Sequence, residues 1–166
     1  FPNNKNIIMS AKQAADITEK NAVVVETRSI PETFAAMLEF DPDSDIGENK
    51  DAMTEAIADV QVGEVSISIR DTSVGGVEIK KDEYLSILNG DIIASEKTIG
   101  DSASKIVDQA LSEDDDLSLV TLYYGENVDK REAKDLAKKL GKKHKDIDVE
   151  LVYGGQPVYY YTITLE

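Results

Sequence analysis

"LSLVTLYYGENVDKREAKDLAKKLGKKHKDIDVELVYGGQPVYYYTITLE" (residues 117–166) is the stretch on which the fold turns. Its opening, "LSLVTLYYG" (117–125), reads as a strand from its β-branched and aromatic run. Asp129–Lys145 has helical spacing, with Ala133, Leu136, Ala137 and Leu140 as the buried stripe. "DVELVYG" (148–154) and "VYYYTITL" (158–165) supply two further strands. A strand–helix–strand unit with so long a helix predicts a right-handed parallel crossover. Both strands end in Tyr-Gly followed by a polar residue, in "LYYGENV" (122–128) and "LVYGGQPV" (151–158). The crossover would bring these ends to one sheet edge, where open α/β sheets tend to place ligands.

Upstream, "EVSISIR" (64–70) alternates, with Val65, Ile67 and Ile69 on one face. "VGG" (74–76) is a turn, "VEI" (77–79) a short strand, and "YLSILNGDIIAS" (84–95) a hairpin turning on Asn89-Gly90. A helix is expected at about 101–112, capped by Asp101 or Ser102. Before residue 62 the texture differs. Asn6–Lys20 reads as a helix with asparagines ahead of it as caps, and "AVVVET" (22–27) as a buried strand of a parallel sheet. Ser29 caps a helix with Pro31 in its first turn, expected to carry Phe34, Met37 and Leu38 inward. After the loop "DPDSD" (41–45) comes a helix at 47–59 with Met53, Ala56 and Ile57 on one face. The expected fold class is therefore α/β in two lobes. A wound, partial α/β lobe occupies 1–62, and a mixed-sheet lobe with two helices occupies 63–166. "FPNN" (1–4) reads as the end of a strand that begins earlier, which predicts a domain of a longer protein.

Composition narrows the function classes. The chain has 166 residues, a formal net charge of −15 and no cysteine. Such acidity repels phosphates, which argues against nucleic acid or an anionic membrane as partner. Without cysteine there are no disulfides and no thiolate metal sites, which fits a cytoplasmic protein. No apolar run approaches the ~20 residues of a membrane span. His144 is the single histidine and sits among lysines at a helix end, where an exposed C-terminal position is expected rather than a base. The acidic run Glu113–Asp116 reads as a loop. No nucleophile elbow, phosphate loop or histidine-based metal site is present in the sequence, so neither catalytic residues nor metal ligands are assigned.

Binding candidates remain. Gly154, Gly155 and Gln156 match the tripeptide by which release factors position water, but that loop needs basic surroundings that this segment lacks. Two readings stay open for it. The glycines shape a turn and Pro157 ends strand pairing, or the turn amides and Gln156 hold a ligand or partner. Tyr159, Tyr160 and Tyr161 are expected to alternate in a strand, Tyr160 facing opposite to the others and at least one exposed for packing or partner contact. Eight of the 18 Lys and Arg residues fall in 130–145. Lys130, Lys134, Lys138 and Lys142 recur every fourth residue, as a solvated face or as a docking stripe for an acidic partner or an upstream domain. In "PNNKN" (2–6), Asn3 and Asn4 stand at an expected strand-to-helix junction, as caps or as part of an anion-binding position.

Three stretches carry a resemblance to a known family: "PNNKNIIMSAKQAA" (2–15), "GEVSISIRDT" (63–72) with "ILNGDIIAS" (87–95), and "LVYGGQPVYYYTI" (151–163). Together they resemble the C-terminal domain of the dihydroxyacetone-kinase-like kinase subunit of bacterial fatty acid kinase. The resemblance implies a parent that phosphorylates fatty acids presented by a separate fatty-acid-binding carrier subunit. ATP and Mg²⁺ would be bound by another domain, with no cofactor in this one. The expected partners are that carrier and the upstream domains of the same chain, with a homodimer as a further expectation. From residue 87 onward, the order of elements is also similar to the second lobe of DegV-like fatty-acid-binding proteins. Those carry a histidine ahead of a Gly-Pro-Gly turn that helps hold the fatty-acid carboxylate. Here Tyr153 precedes Gly154-Gly155-Gln156-Pro157 and no histidine stands there. The alternative function is a small-ligand or lipid-binding module with an interlobe cleft near Asn3, Asn4, Gly154 and Gln156.

Overall fold

Capping side chains set where most helices of this chain begin. Ser29 accepts from Glu32 N–H at the start of α2 (Ile30–Leu38), with a proline in the first turn. Asp45 and Glu48 form a reciprocal capping box at α3 (Ile46–Ala58). Thr98 caps α4 (Ile99–Glu113) and Asp129 caps α5 (Lys130–Lys143). The Thr98 cap starts α4 three to four residues earlier than Asp101 or Ser102 would. Thr98 also donates to the Asp101 carboxylate, which makes Asp101 a first-turn residue rather than the cap.

The computed structural model describes residues 1–3 and 5–166 and divides them into two units, Phe1–Val60 and Gln61–Glu166. The first unit contains α1 (Lys5–Ile17), α2 and α3. Neither "FPNN" nor "AVVVET" forms a described strand, so the wound α/β character expected of this region is corrected to helical. Residues 22–27 belong to no described strand, and the Thr27 N–H closes a tight turn onto the Val25 carbonyl at 2.8 Å. A β-branched run needs a neighbour for its ladder. Instead Val25 packs with Ala36 and Met53, and the Thr27 hydroxyl donates to the Pro2 carbonyl. A second correction concerns α2: Phe34, Met37 and Leu38 are 61%, 55% and 85% exposed, and the helix turns Ala36 inward. The small residue allows the close approach of α3.

The second unit is built on a six-stranded, mostly antiparallel sheet. Its strands are β1 (Gln61–Ile67), β4 (Tyr84–Leu88), β5 (Asp91–Glu96), β6 (Leu119–Tyr124), β7 (Asp148–Tyr153) and β8 (Tyr161–Leu165). They lie in the order β5-β4-β1-β8-β6-β7. Only β6 and β7 run parallel, as the crossover through α5 requires. A separate ribbon pairs β2 (Thr72–Val74) with β3 (Val77–Ile79) through Gly75 and Gly76, both at positive φ. Asn89 (φ 52) and Gly90 (φ 87) make the β4–β5 turn, as that dipeptide predicts. β1 stops at Ile67, which leaves Ile69 82% exposed and outside the expected alternation.

Two helices cover one face of this sheet, α4 over β1, β4 and β5 and α5 over β6 and β7. Between them and the sheet lies one core that includes Val65, Ile106, Leu122, Leu136, Leu140, Tyr161 and Ile163. The α5 stripe Ala133, Leu136 and Leu140 is fully buried in it, with Ala137 partly so. α4 approaches β1 closely because Gly63 has no side chain; a Cβ there would collide with Ile106. Among the described residues no helix is long and apolar enough to cross a membrane.

Candidate functional site

The crossover brings the two Tyr-Gly ends side by side. Tyr124 and Tyr153 are register partners at the carboxyl ends of β6 and β7, with ring centroids 5.1 Å apart. Beyond them the chain folds over itself. Gly154 and Gly155 N–H both donate to the Tyr124 carbonyl, at 3.0 and 3.3 Å. The Gln156 side-chain amide donates to Tyr123 O at 2.7 Å, and Glu126 N–H donates back to Gln156 O at 3.2 Å. Gly125 N–H donates to Tyr160 O at 2.9 Å. Gly125 is needed because a Cβ would lie 2.7 Å from the Gln156 carbonyl oxygen and press on that of Tyr159. Gly154 makes room for the Gln156 amide, and Gly155 supplies φ 66.

Beside this double turn lies an open concavity of about 570 Å³, lined by Tyr124, Lys130, Lys134, Ala137, Lys138, Leu151 and Tyr153. A second hollow of about 540 Å³ shares Tyr124, Lys130 and Tyr153 and runs to Asn127 and Asp129 at the start of α5. Tyr153 is 63% exposed at their junction. The concavity presents ammonium and phenol groups, which can bind a carboxylate, whereas the second hollow also carries the acidic side chains of Glu126 and Asp129.

The fates of the sequence candidates differ. Lys134 and Lys138 reach the concavity, while Lys142 is exposed on the same helix and is not among its lining residues. Gly154, Gly155 and Gln156 form its neighbouring turn, with Gln156 turned inward to the Tyr123 carbonyl. The three tyrosines do not alternate, because β8 begins only at Tyr161. Tyr160 packs edge-on against Tyr84, centroids 5.3 Å apart. Tyr159 is half-buried; burial, then the nearby Glu64 carboxylate and a hydrogen bond to it, push its phenol up. Tyr161 is 2% exposed, and burial, then Glu132 and Tyr124, push its phenol far above the ordinary tyrosine range. The physical reason for the broken alternation is the Gly125 bond to Tyr160 O, which holds residues 157–160 in the crossing turn. Asn3 lies in the first unit, and Asn4 lies outside the described residues.

Sequence reasoning did not single out Tyr124, Tyr153 or Gly125 as site residues. The Tyr-Gly echo was the signal that could have found all three. His144 caps α5 at its C-terminus, but it is half-buried rather than exposed, with Nε2 2.8 Å from Asp108 Oδ1. Among the described residues no group of three His, Asp or Glu could hold a metal ion.

The chain is thus an α-helical unit followed by a mixed sheet with a basic, tyrosine-lined edge. Comparison with known proteins gives its family. Residues 1–166 match the FakA-like family of fatty acid kinase subunits, in the part described as C-terminal. The chain is 38% identical over 166 residues to "Protein YloV" of Bacillus subtilis (strain 168). It is 33% identical over the same length to an uncharacterized protein of Staphylococcus aureus (strain USA300). Each alignment covers 100% of this chain and 30% of the relative. The chain belongs to the FakA-like fatty acid kinase family and corresponds to its C-terminal domain. It spans about a third of the length of the curated relatives it matches.

Proposed function

We propose that this domain is the non-catalytic, partner-binding part of a fatty acid kinase. Its task is to engage the fatty-acid carrier subunit or to organise the upstream domains that make acyl phosphate. ATP and Mg²⁺ then belong to those upstream domains, and the whole works in the cytoplasm. Family membership supports the parent activity. The observation that carries the binding role is the row of exposed lysines beside Tyr153 on an otherwise acidic chain. The test is binding of the 166-residue chain to a purified carrier subunit by calorimetry. Micromolar or tighter binding is the expected result. Absence of binding, together with full acyl phosphorylation by a parent lacking this domain, would overturn it.

A second reading rests on a different observation. Within the first unit, an apolar groove of about 520 Å³ is lined by Phe1, Val25, Met37, Phe40 and Met53, with Lys50 also on its lining. An acyl chain with its carboxylate on Lys50 suits that combination, so a lipid-binding module is the alternative. Fatty acid retained through purification, and lost on Met53→Glu substitution, would favour it over partner binding.

A further inference from the structure

β7 is an edge strand, and half of its backbone polar groups have no ladder partner in the sheet. Asp148 N–H donates to Ser118 O at 2.8 Å and Gly154 N–H to Tyr124 O at 3.0 Å, and the register between them is unbroken. The alternation of a parallel ladder therefore turns the N–H and C=O of Val149, Leu151 and Tyr153 outward. The side chains of the same three residues lie on the α5 side. Val149 sits beside Gly141, and Leu151 and Tyr153 border Lys134 and Lys138. A row of open backbone groups and a row of lysines thus run next to each other.

The lysines divide into two sets. Lys139 and Lys143 face α4 and pair with Asp101 and Asp108 at 3.7 and 2.5 Å. Lys130, Lys134, Lys138 and Lys142 have no carboxylate partner among the described residues. Lysine at a sheet edge ordinarily discourages other strands. This guard is selective by charge. A second copy adding β7 to β7 about a twofold axis normal to the sheet would set both helices on one face, with their lysine rows opposed. A strand with carboxylates on that face would instead relieve the repulsion along α5. A diffuse polyanion is excluded by the net charge of −15.

We propose that β7 is a docking edge for an extended acidic segment of a partner protein, which adds as a further strand and places alternate Asp or Glu side chains against Lys134 and Lys138. Exposed Asp148 and Glu150, on the other face of β7, select neutral or basic residues at the intervening positions. This is strand addition with electrostatic specificity. It rests on the reading of the α5–β7 face as the partner-binding one.

The experiment uses the labelled 166-residue chain with two soluble peptides, one alternating Glu with Thr and one alternating Lys with Thr. The acidic peptide is expected to slow hydrogen exchange at the Val149, Leu151 and Tyr153 amides, and the basic peptide is not. Lys134→Glu with Lys138→Glu should weaken the acidic peptide by about tenfold. Both side chains are exposed and the change removes a like-charge series, so the fold is retained. Absent protection, equal protection by both peptides, or indifference to the charge reversal overturns the proposal. A carrier that binds wild type and the reversed variant equally would overturn strand addition while leaving partner binding intact. Acidic-peptide protection without carrier binding would support strand addition and remove the carrier as its source.

Discussion

At the β5 edge of the sheet the β2–β3 ribbon lies against the last strand, with Ile79 only 2% exposed. At the β7 edge the substantial contacts are with β6 and α5, and Val152 and Tyr153 are 40% and 63% exposed. One edge is covered by chain and irregular, since its pairing slips at Ser86/Ile87. The other is regular throughout and flanked by unpaired lysines. Bulges and covering segments close an edge to every strand, whereas charge closes it only to strands of the wrong sign. With β7 as the proposed docking edge, one side of the sheet is protected and the other is left for recognition.

Removing the cover should break this contrast with the largest effect. Ile79→Ala takes a buried side chain from beneath the ribbon and is expected to cost about 2–5 kcal/mol in urea unfolding. The loosened ribbon exposes the β5 edge, whose middle residues Ile92–Ser95 carry no charge, so self-association should rise in light scattering. Unchanged stability and a monodisperse variant would show that the ribbon is not what closes β5. Next in size are the glycines that shape the β7 end. Gly125→Ala meets backbone oxygens of residues 156 and 159, which cannot swing away. Gly154→Ala meets the Gln156 amide, a side chain that can move at the loss of its bond to Tyr123 O. We expect on the order of 2–4 kcal/mol for the first and about 1–2 kcal/mol for the second. Equal costs would mean that Gln156 is as fixed as the backbone around it.

The same contrast explains what was legible in the sequence. The hairpin turn, the α2 cap and the α5 stripe are local: Asn89-Gly90, Ser29 and the Ala133–Leu136–Leu140 spacing each encode their own geometry within a few residues, whereas the α4 cap is Thr98 and not the expected Asp101 or Ser102. The pairing of the Tyr-Gly ends was also readable, because a strand–helix–strand unit has one favoured closure. What local pattern could not supply was the identity of neighbours. "AVVVET" has strand composition but meets no ladder among the described residues, and Phe34, Met37 and Leu38 are apolar yet face outward. Tyr159 and Tyr160 look like strand residues until Gly125, more than thirty positions earlier, captures the Tyr160 carbonyl. The lysine row was visible as a spacing, but that it borders an open edge strand depends on the sheet order.

The smallest expected effect concerns how α5 is held beside that edge. At its C-terminal end Lys143 Nζ donates to Asp108 Oδ2 at 2.5 Å, and His144 Nε2 lies 2.8 Å from Oδ1. Burial alone raises the Asp108 carboxyl. The hydrogen bonds from Lys143 and His144, with their charges, outweigh it and hold the group below its ordinary value of 3.8. A carboxyl depressed in the folded state contributes stability above its unfolded pKa and loses it as pH falls through the folded one. With a third of the Asp108 side chain exposed, screening keeps the contribution within about 1 kcal/mol. Asp108→Asn should therefore be slightly less stable than wild type at neutral pH, and the gap should close as pH drops below the ordinary aspartate range. Protection factors along β7, which are corrected for the intrinsic pH dependence of exchange, should fall in wild type over that same acid range, because the clamp that seats α5 is being protonated. A gap that persists unchanged into acid would mean that the contact is held by packing, and that the lysine-flanked edge does not depend on this carboxylate.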